Sequence, residues 1–352
     1  MDLNPELWRN RRVLVTGHTG FKGSWLVFWL SQFGAEVIGV SLPVPELQRS
    51  LYSDAKISKL LSKEYFLDIR NEILVQDAMK ESKADYVFHL AAQAIVSRSI
   101  EYPNESVTTN VVGTSNVLLA ALSLNSVIGM TIATTDKVYQ NINNDKPFQE
   151  TDALGSKDPY SASKAAAEIV VASLASICNP RKIPITTVRA GNVIGGGDWG
   201  KDRLVPDLVN ALSSNRTMMI RNINATRPWQ HILDCLRGYL LIAQSHLVSS
   251  INSPKSINFG PNESLSVKQL INIFESSFGR SANYKVSESS FNEAQYLKLD
   301  SELAFRYLNW SPFYKSSEAI SKTAKWYLDF LYGNNALELM TQELLQYSKV
   351  PK

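Results

Sequence analysis

Two side chains four residues apart, Tyr160 and Lys164, have the types and spacing of a proton-transfer pair. On a helix this spacing puts both side chains on one face, a turn apart. An ammonium group at Lys164 favours the phenolate of Tyr160 and can lower the tyrosine pKa from about 10 toward neutral pH. A tyrosine tuned in this way is a base for a sugar or alcohol hydroxyl. The pattern is weak alone, because two exposed helix residues can share this spacing by chance.

Thr135, Asp136 and Lys137 form a second polar group, directly after an apolar run at 127–133. An aspartate at the end of a strand is either a turn or helix-capping residue or a catalytic acid. A lysine there is either a solvated surface charge or a base, if its amine is buried near other cations and becomes neutral. The residues alone leave both alternatives open.

A glycine-rich turn lies between an apolar run at 12–16 and a helical segment at 24–30. Gly17, Gly20 and Gly23 follow one another at intervals of three, so the usual dinucleotide pattern Gly-x-Gly-x-x-Gly is not met. A strand, a glycine turn and a helix in this order place backbone N–H groups where they can bind a pyrophosphate. The glycines allow a phosphate to come close because they have no Cβ. The alternative is a glycine-rich turn without a ligand.

Composition limits the classes of function. The 352 residues are enough for one large domain or two interlocked domains, and the net charge of +3 comes from scattered rather than clustered basic residues. We therefore expect no nucleic-acid partner and no membrane surface. Cys178 and Cys235 lack metal-ligand spacing and indicate reduced residues, and no metal is expected. No apolar signal core or membrane-length run occurs, so we expect a soluble cytoplasmic protein.

Apolar runs alternate with amphipathic stretches through the first half of the chain. The runs cover 13–16, 36–40, 65–67, 86–90, 127–133 and 185–189, and helical stretches include 72–80, 105–122, 159–175, 204–212, 232–244 and 267–278. This alternation predicts an α/β fold with a Rossmann-type doubly wound parallel sheet. The alternation of strands and helices ends at the glycine-rich loop 191–199. We expect a cofactor domain at 1–190, with return segments near 229–260, and a smaller mixed α/β substrate domain at 191–352.

With these pieces together, the chain resembles the extended short-chain dehydrogenase/reductase family and, within it, the CDP-glucose 4,6-dehydratases of bacterial dideoxysugar pathways. The resemblance covers nearly the whole chain and rests on the segments at 17–26 (GHTGFKGSWL), 89–93, 134–139, 158–164, 189–199 (RAGNVIGGGDW), 227–231 (RPWQH), 258–261 and 293–300. Relatives acting on dTDP-glucose or GDP-mannose usually carry Glu after the Thr-Asp pair. Lys137 in that position indicates the CDP-glucose branch.

The resemblance implies a role for each matching residue. The cofactor NAD would be bound by Gly17, Thr19, Gly20, Phe21, Lys22 and Gly23 at the pyrophosphate, by Asp68 and Ile69 beside the adenine, by Leu90, Ala91 and Ala92 along the nicotinamide ribose, and by Tyr160 and Lys164. Thr135 would bind the reacting hydroxyl, Tyr160 and Lys137 would act as bases, Asp136 as an acid, and Lys164 would tune Tyr160. The substrate would contact Asn192, Arg203, Arg227 and Tyr296. The second strand lacks the acidic residue that commonly binds the adenosine ribose, and Arg49 is the nearest arginine after it.

The implied activity is NAD-dependent dehydration of CDP-D-glucose to CDP-4-dehydro-6-deoxy-D-glucose and water, with NAD recycled in each turnover. It would serve dideoxysugar synthesis for O-antigen or lipopolysaccharide. The helices at 105–122 and 159–175 resemble those through which this family dimerises, so we expect a homodimer or homotetramer. An epimerase or reductase of the same fold shares Tyr160 and Lys164 but has no need of Asp136 and Lys137. A non-enzymatic dinucleotide sensor would typically lose Tyr160 or Lys164.

Overall fold

Seven parallel strands form the central sheet of the molecule. The computed structural model describes residues 2–142, 145–214, 216–249, 253–286 and 296–350. The strands are β1 (Arg12–Thr16), β2 (Glu36–Ser41), β3 (Lys63–Phe66), β4 (Tyr86–His89), β5 (Gly129–Ala133), β6 (Ile185–Ala190), β7 (Val193–Ile194), β8 (Met218–Ile220), β9 (Thr226–Arg227), β10 (Gln230–His231), β11 (Ser256–Phe259), β12 (Leu265–Ser266) and β13 (Tyr284–Val286). The large sheet has the order β3-β2-β1-β4-β5-β6-β11. This order confirms the predicted α/β fold with a doubly wound parallel sheet.

The strand order reverses beside β1, and this reversal sets the position of the ligand crevice. β2 and β3 lie on one side of β1, and β4, β5, β6 and β11 lie on the other. Val15 in β1 lies opposite Gly39 in β2 and Phe88 in β4. β4 and β5 are buried throughout, which explains why they read as continuous apolar runs. In an open sheet of this kind, ligands bind beyond the carboxyl ends of the strands at the reversal.

Helices cover both faces of the sheet and build most of the remaining structure. They are α1 (Phe21–Gln32), α2 (Leu51–Asp54), α3 (Glu72–Ser82), α4 (Val96–Glu101), α5 (Pro103–Val107), α6 (Thr114–Ser123), α7 (Pro159–Ile177), α8 (Leu204–Ser214), α9 (Ile232–Val248), α10 (Val267–Phe278), α11 (Glu302–Leu308), α12 (Ser316–Leu331) and α13 (Ala336–Tyr347). α9 is buried over nearly its whole length. It packs on the sheet, where its His246 lies 2.7 Å from the Tyr86 hydroxyl of β4.

The predicted single helix at 105–122 is divided in three. α5 is followed by a π-helical turn at Thr108–Gly113 and then by α6. At Gly113 a Cβ would lie 2.6 Å from the Cδ1 atom of Ile69, so only glycine lets the turn pack against the end of β3. The wider turn is a tertiary effect, which a 3.6-residue pattern in the sequence does not reveal.

Three short two-stranded ladders lie beyond the large sheet. β7 pairs in parallel with β10, β9 pairs antiparallel with β12, and β8 pairs in parallel with β13. α8, α10 and α12 accompany them, which gives this part its mixed α/β character. The largest hydrophobic cluster includes Trp25 and Phe88 from the first half of the chain and Trp310 and Tyr327 from the second. The two halves therefore share one core.

Candidate active site

The loop between β1 and α1 is shaped so that only glycine fits at its close approaches. Gly17 has a φ of +75°, and a Cβ there would lie 2.7 Å from the backbone nitrogen of Ala91. A Cβ at Gly23 would collide with the carbonyl oxygen of Gly17. Gly20 precedes the first residue of α1, whose opening turn has N–H groups without helical partners. The loop therefore brings a bare helix N-terminus to the sheet reversal, which suits a pyrophosphate.

The end of β2 offers hydroxyl groups where a carboxylate is common. The Thr19 and Ser41 hydroxyl oxygens lie 2.7 Å apart, and Thr19 also donates to the carbonyl of Leu42. Arg49 is occupied elsewhere, since its Nε lies 3.2 Å from Asp54 and its guanidinium stacks 4.2 Å from the Trp199 ring centre. Arg49 is thus engaged by Asp54 and Trp199, and Thr19 and Ser41 present hydroxyl groups near the end of β2.

The two residues predicted to lie beside the adenine differ in environment. Asp68, just after β3, is paired with Arg70, whose hydrogen bonds lower the pKa of the Asp68 carboxyl. The Ile69 side chain is buried and packs on Gly113. A contact with the adenine would therefore come from the backbone of Ile69 rather than from its side chain. At the end of β4, the N–H groups of Leu90 and Ala91 both donate to the Thr16 hydroxyl at 3.1 Å. These bonds fix residues 90–92 against Gly17, along one wall of the crevice.

Tyr160 and Lys164 lie on the first two turns of α7, as their spacing predicted. The carboxylate of Asp158 caps the helix by accepting from the Ser161 N–H at 2.9 Å. Both side chains are buried, and the Lys164 ammonium donates to the carbonyl of Ala133 at 2.9 Å. Burial lowers the pKa of Lys164 to about 8, and the charge of Lys22 acts in the same direction. The helix thus holds the lysine at the end of β5.

The predicted tuning of Tyr160 by Lys164 does not hold for the polypeptide alone. Burial raises the pKa of Tyr160 to about 12, and a hydrogen bond with Thr135 only partly offsets this rise. Arg203 also lowers the pKa of Tyr160, while the Lys164 ammonium donates to the Ala133 carbonyl. A further positive charge beside the phenol is therefore needed before Tyr160 can act as a base near neutral pH.

Thr135, Asp136 and Lys137 form a short helical turn at the end of β5. The Thr135 hydroxyl donates to one carboxyl oxygen of Asp136 at 3.1 Å and accepts from the Lys137 N–H at 3.3 Å. Asp136 is 3% exposed, and its other oxygen, Oδ2, has no hydrogen-bond partner. Burial raises the pKa of Asp136, although Lys137, Thr135 and Arg227 oppose the rise. The buried environment therefore shifts Asp136 toward its protonated form, in which the unpartnered Oδ2 could donate a proton.

A cavity of about 700 Å³ brings the predicted catalytic and substrate residues together. Its lining includes Phe21, Lys22, Thr135, Asp136, Lys137, Tyr160, Asn192, Arg203 and Arg227. Its size is typical of a site for a small organic ligand. Lys164 and the predicted cofactor residues other than Phe21, Lys22 and Tyr160 lie outside this lining.

Tyr296 is the one predicted substrate residue that does not line the cavity. Its carbonyl accepts from the Asn141 side chain at 2.9 Å. The sequence motif at 293–300 that suggested it begins with Glu293, Ala294 and Gln295, which lie outside the described residues. The position of Tyr296 relative to a substrate therefore stays a prediction.

A buried ion pair behind the site escaped the sequence analysis. Glu168 on α7 pairs with Arg189 on β6, and it also accepts from the Thr134 hydroxyl at 2.6 Å. Arg189 donates in addition to the Tyr139 hydroxyl at 2.7 Å. These bonds join the helix of Tyr160 to the strand end before Thr135. A signal was present in the sequence, since Arg189 ends an apolar run and Glu168 lies within the predicted helix at 159–175.

Asn110 was also missed, because it belongs to the π-helical turn. It is fully buried, exchanges two hydrogen bonds with the backbone of Gln93, and donates to the Ser163 hydroxyl at 2.8 Å. Ser163 in turn donates to the carbonyl of Tyr160. Asn110 therefore ties the catalytic helix to the loop after β4. Asp207, which lines the cavity from α8, was not singled out either.

Across the described ranges, no group of three or more His, Cys, Asp or Glu side chains could hold a metal ion. Among the helices that the structure describes, none is long and apolar enough to cross a membrane.

Comparison with known proteins places the chain among nucleotide-sugar enzymes. The sequence family described as GDP-mannose 4,6 dehydratase matches residues 14–323. The CDP-glucose 4,6-dehydratase of Salmonella typhimurium is 36% identical, with 98% of each chain covered. The human dTDP-D-glucose 4,6-dehydratase is 28% identical, with 90% of each chain covered.

A solved structure supports the same fold. The UDP-glucose 4-epimerase of Stenotrophomonas maltophila, solved with bound NAD and formylated UDP-arabinopyranose, has a TM-score of 0.79 to this chain at 22% identity. The match covers 92% of this chain and 100% of that one. From the extent of the family match and the 36% identical relative, this chain belongs to the GDP-mannose 4,6-dehydratase family.

Proposed function

We propose that the protein dehydrates CDP-D-glucose to CDP-4-dehydro-6-deoxy-D-glucose and water, with NAD as a cofactor that is regenerated in each turnover. The observation that carries this proposal is Asp136. Its carboxyl is buried beside Tyr160 in one cavity, its pKa is raised, and its Oδ2 atom has no partner. An epimerase or reductase needs only the tyrosine, whereas loss of water also needs an acid for the departing hydroxyl.

The residues present fit a dinucleotide. Gly17, Gly20 and Gly23 leave room at the N-terminus of α1 that a Cβ would fill, and Thr19 and Ser41 supply hydroxyls for the adenosine ribose. Arg49 is held by Asp54 and Trp199, which supports NAD rather than a cofactor with a 2′-phosphate. When bound, NAD would supply reversible hydride transfer with the sugar, at C4 and then at C6, and its nicotinamide charge would favour the Tyr160 phenolate.

Each proton transfer of the reaction is assigned to a different side chain of the site. Tyr160 removes the proton of the C4 hydroxyl, while Thr135 holds that oxygen. The new C4 ketone acidifies the C5 hydrogen, which Lys137 removes as Asp136 gives its proton to the leaving O6. Water departs, and a proton returns to C5 when C6 becomes a methyl group. One hydride leaves and one returns, so the net change is loss of water alone.

The choice of CDP-glucose rests on the relative that is 36% identical and bears that activity in its name. Lys137 supports it, since the resemblance puts a lysine there in the CDP-glucose branch. Arg203 and Arg227 line the same cavity, where their guanidinium groups suit the diphosphate of a nucleotide sugar. The pathway that we propose is dideoxysugar synthesis for O-antigen or lipopolysaccharide in the cytoplasm.

We further propose that residues 1–190, with return segments near 229–260, bind NAD and that 191–352 mainly bind the nucleotide sugar. A homodimer or homotetramer is the proposed assembly. The face formed by α5, the π-helical turn and α7 exposes the side chains of Val107, Val112 and Ile169. Contact with a second copy of the chain would bury these side chains.

The proposal is tested by the ratio of product to NAD. The protein is incubated with CDP-glucose and a small molar amount of NAD, and the 4-keto-6-deoxy sugar is followed by its absorbance in alkali. Product in large excess over NAD, without accumulation of NADH, is expected. One NADH released per product would contradict the dehydration, and a 4-epimer without loss of water would assign the epimerase activity instead.

A further inference from the structure

Three carboxylates that line the cavity have no part in the proposed reaction: Asp198 pairs with Arg203, Asp202 accepts from Ser97, and Asp207 is the third. Asp207 lies on α8 and lines the cavity next to Pro206 and across from β8. It is half-buried, and among the described residues no hydrogen bond or ion pair holds its side chain. Asp207 thus presents free acceptor atoms to the cavity.

Asp207 lies beyond the arginines that border the reacting groups. The charge of Arg203 acts on Tyr160 and that of Arg227 acts on Asp136, whereas Asp207 lies one helical turn after Arg203, whose carbonyl accepts from the Asp207 N–H at 3.0 Å. The cavity therefore has a catalytic end, bordered by these two arginines, and a second end between α8 and β8.

A nucleotide sugar would occupy both ends if the proposed function holds, and this inference rests on that function. With the hexose at Tyr160 and the diphosphate at the arginines, the nucleoside reaches the end between α8 and β8. Pro206, Met218 and Ile220 line this end with apolar atoms, which suit the flat faces of a base. The polar edge of the base then meets Asp207.

We propose that Asp207 selects cytosine by accepting a hydrogen bond from its exocyclic amine. Cytosine carries an N–H₂ donor at position 4, whereas uracil and thymine carry a carbonyl acceptor there. A carboxylate can only accept, so it pairs with cytosine and opposes the carbonyl of the other two bases. Carboxylates are the side chains that recognise this amine in nucleic acids.

The electrostatic surroundings are consistent with this role. Burial raises the pKa of Asp207 to about 6, with a further rise from Asp202 and Asp198 and an opposing effect of Arg221. The carboxyl is therefore mostly ionised above pH 7, where it can only accept.

The test compares the binding of CDP and UDP to the full chain by isothermal titration calorimetry, which does not depend on turnover. The wild-type protein should bind CDP at least about 10-fold more tightly than UDP. In Asp207→Asn the ratio should approach one, because the amide can turn to donate to the uracil carbonyl. In Asp207→Ala, the affinity for CDP should fall about 10-fold, while the affinity for UDP should not change.

Asp202→Asn is the matched control, since it removes the same charge from the same cavity and its carboxylate is already bonded to Ser97. It should keep the preference for CDP. The proposal is overturned if both Asp207 variants keep the wild-type ratio of CDP affinity to UDP affinity. An equal loss of affinity for CDP and UDP would also overturn it, because that result would indicate a contact with the ribose or the diphosphate. Dehydration of CDP-glucose by the wild-type protein is measured in a separate experiment. If no dehydration occurs, the proposed function is refuted, but the ratio of the CDP and UDP affinities still tests the role of Asp207.

Discussion

Replacing Asp136 with Asn should separate oxidation of the sugar from loss of water. The Asn side chain has nearly the same shape and can keep the hydrogen bond from Thr135 that now reaches Oδ1 at 3.1 Å. What it lacks is the proton that the unpaired Oδ2 would carry to O6. A positioned general acid contributes about 10²–10⁴-fold, which corresponds to about 2.7–5.5 kcal/mol of barrier. Dehydration should slow by this factor, while oxidation at C4 continues, with Tyr160 as the base and NAD as the hydride acceptor.

The assay is a single turnover with protein and NAD in excess over CDP-glucose. Wild-type protein should show little NADH at any time, because the hydride returns once water has left. Asp136→Asn should accumulate enzyme-bound NADH within the single turnover, while the 6-deoxy product forms slowly. Product formation at the wild-type rate would refute the assignment of Asp136 as the acid. Loss of both NADH and product would show that the residue acts earlier, at the oxidation step.

The same variant has a stability signature. The pKa of Asp136 is raised by burial, so the folded protein holds this proton at pH values where the unfolded chain has lost it. The stability from this proton is fully present below the unfolded pKa, about 4, and is lost as pH rises through the folded value. Asn cannot titrate. Over that interval the unfolding free energy of the wild-type protein should therefore fall with pH relative to that of Asp136→Asn, as measured by urea unfolding.

Three further predictions follow from the site. Tyr160→Phe should slow C4 oxidation by about 10²–10⁴-fold with NAD still bound, measured as the single-turnover rate of 4-keto-6-deoxy product formation; near-normal turnover would show that another group is the base. Lys137→Ala should abolish exchange of the C5 hydrogen with solvent deuterium, whereas exchange at the wild-type rate would leave Lys137 only an electrostatic role. Glu168→Gln leaves Arg189 buried without its carboxylate and should cost about 3–5 kcal/mol of unfolding free energy. Glu302→Gln, which breaks an exposed pair with Arg306, is the control and should cost less than about 1 kcal/mol, so equal losses would contradict the buried-pair argument.

The parts of the fold that the sequence predicted are those set by local pattern. The six strands of the first half alternate with helices, and each predicted run overlaps an observed strand because buried parallel strands read as short apolar segments. The turn of Gly17, Gly20 and Gly23 and the helical spacing of Tyr160 and Lys164 are also local. These features need no knowledge of distant contacts.

The features that the sequence did not predict depend on distant contacts. The rise in the Tyr160 pKa comes from burial by segments far along the chain, and the ammonium of Lys164 is directed to Ala133 rather than to the phenol. The π-helical turn at Asn110 is set by packing on Ile69 and Gln93. Asp207 meets the cavity only because α8 packs beside β8. Its three-residue spacing from Asn210, both polar in an apolar helix, was the available signal.

The return of the chain to the sheet has a consequence for biosynthesis. β11 is the last strand of the large sheet in sequence, and α9 covers a face of that sheet and holds the N-terminal segment, because Gln244 bonds the backbone of Asp2 and Asn4. While residues 1–190 leave the ribosome, β6 is an unpaired edge strand and the surface under α9 is exposed, a combination that favours aggregation. The first 190 residues should therefore stay dependent on chaperones until about residue 259 has been made, and a gene fragment that stops before that point should yield insoluble protein.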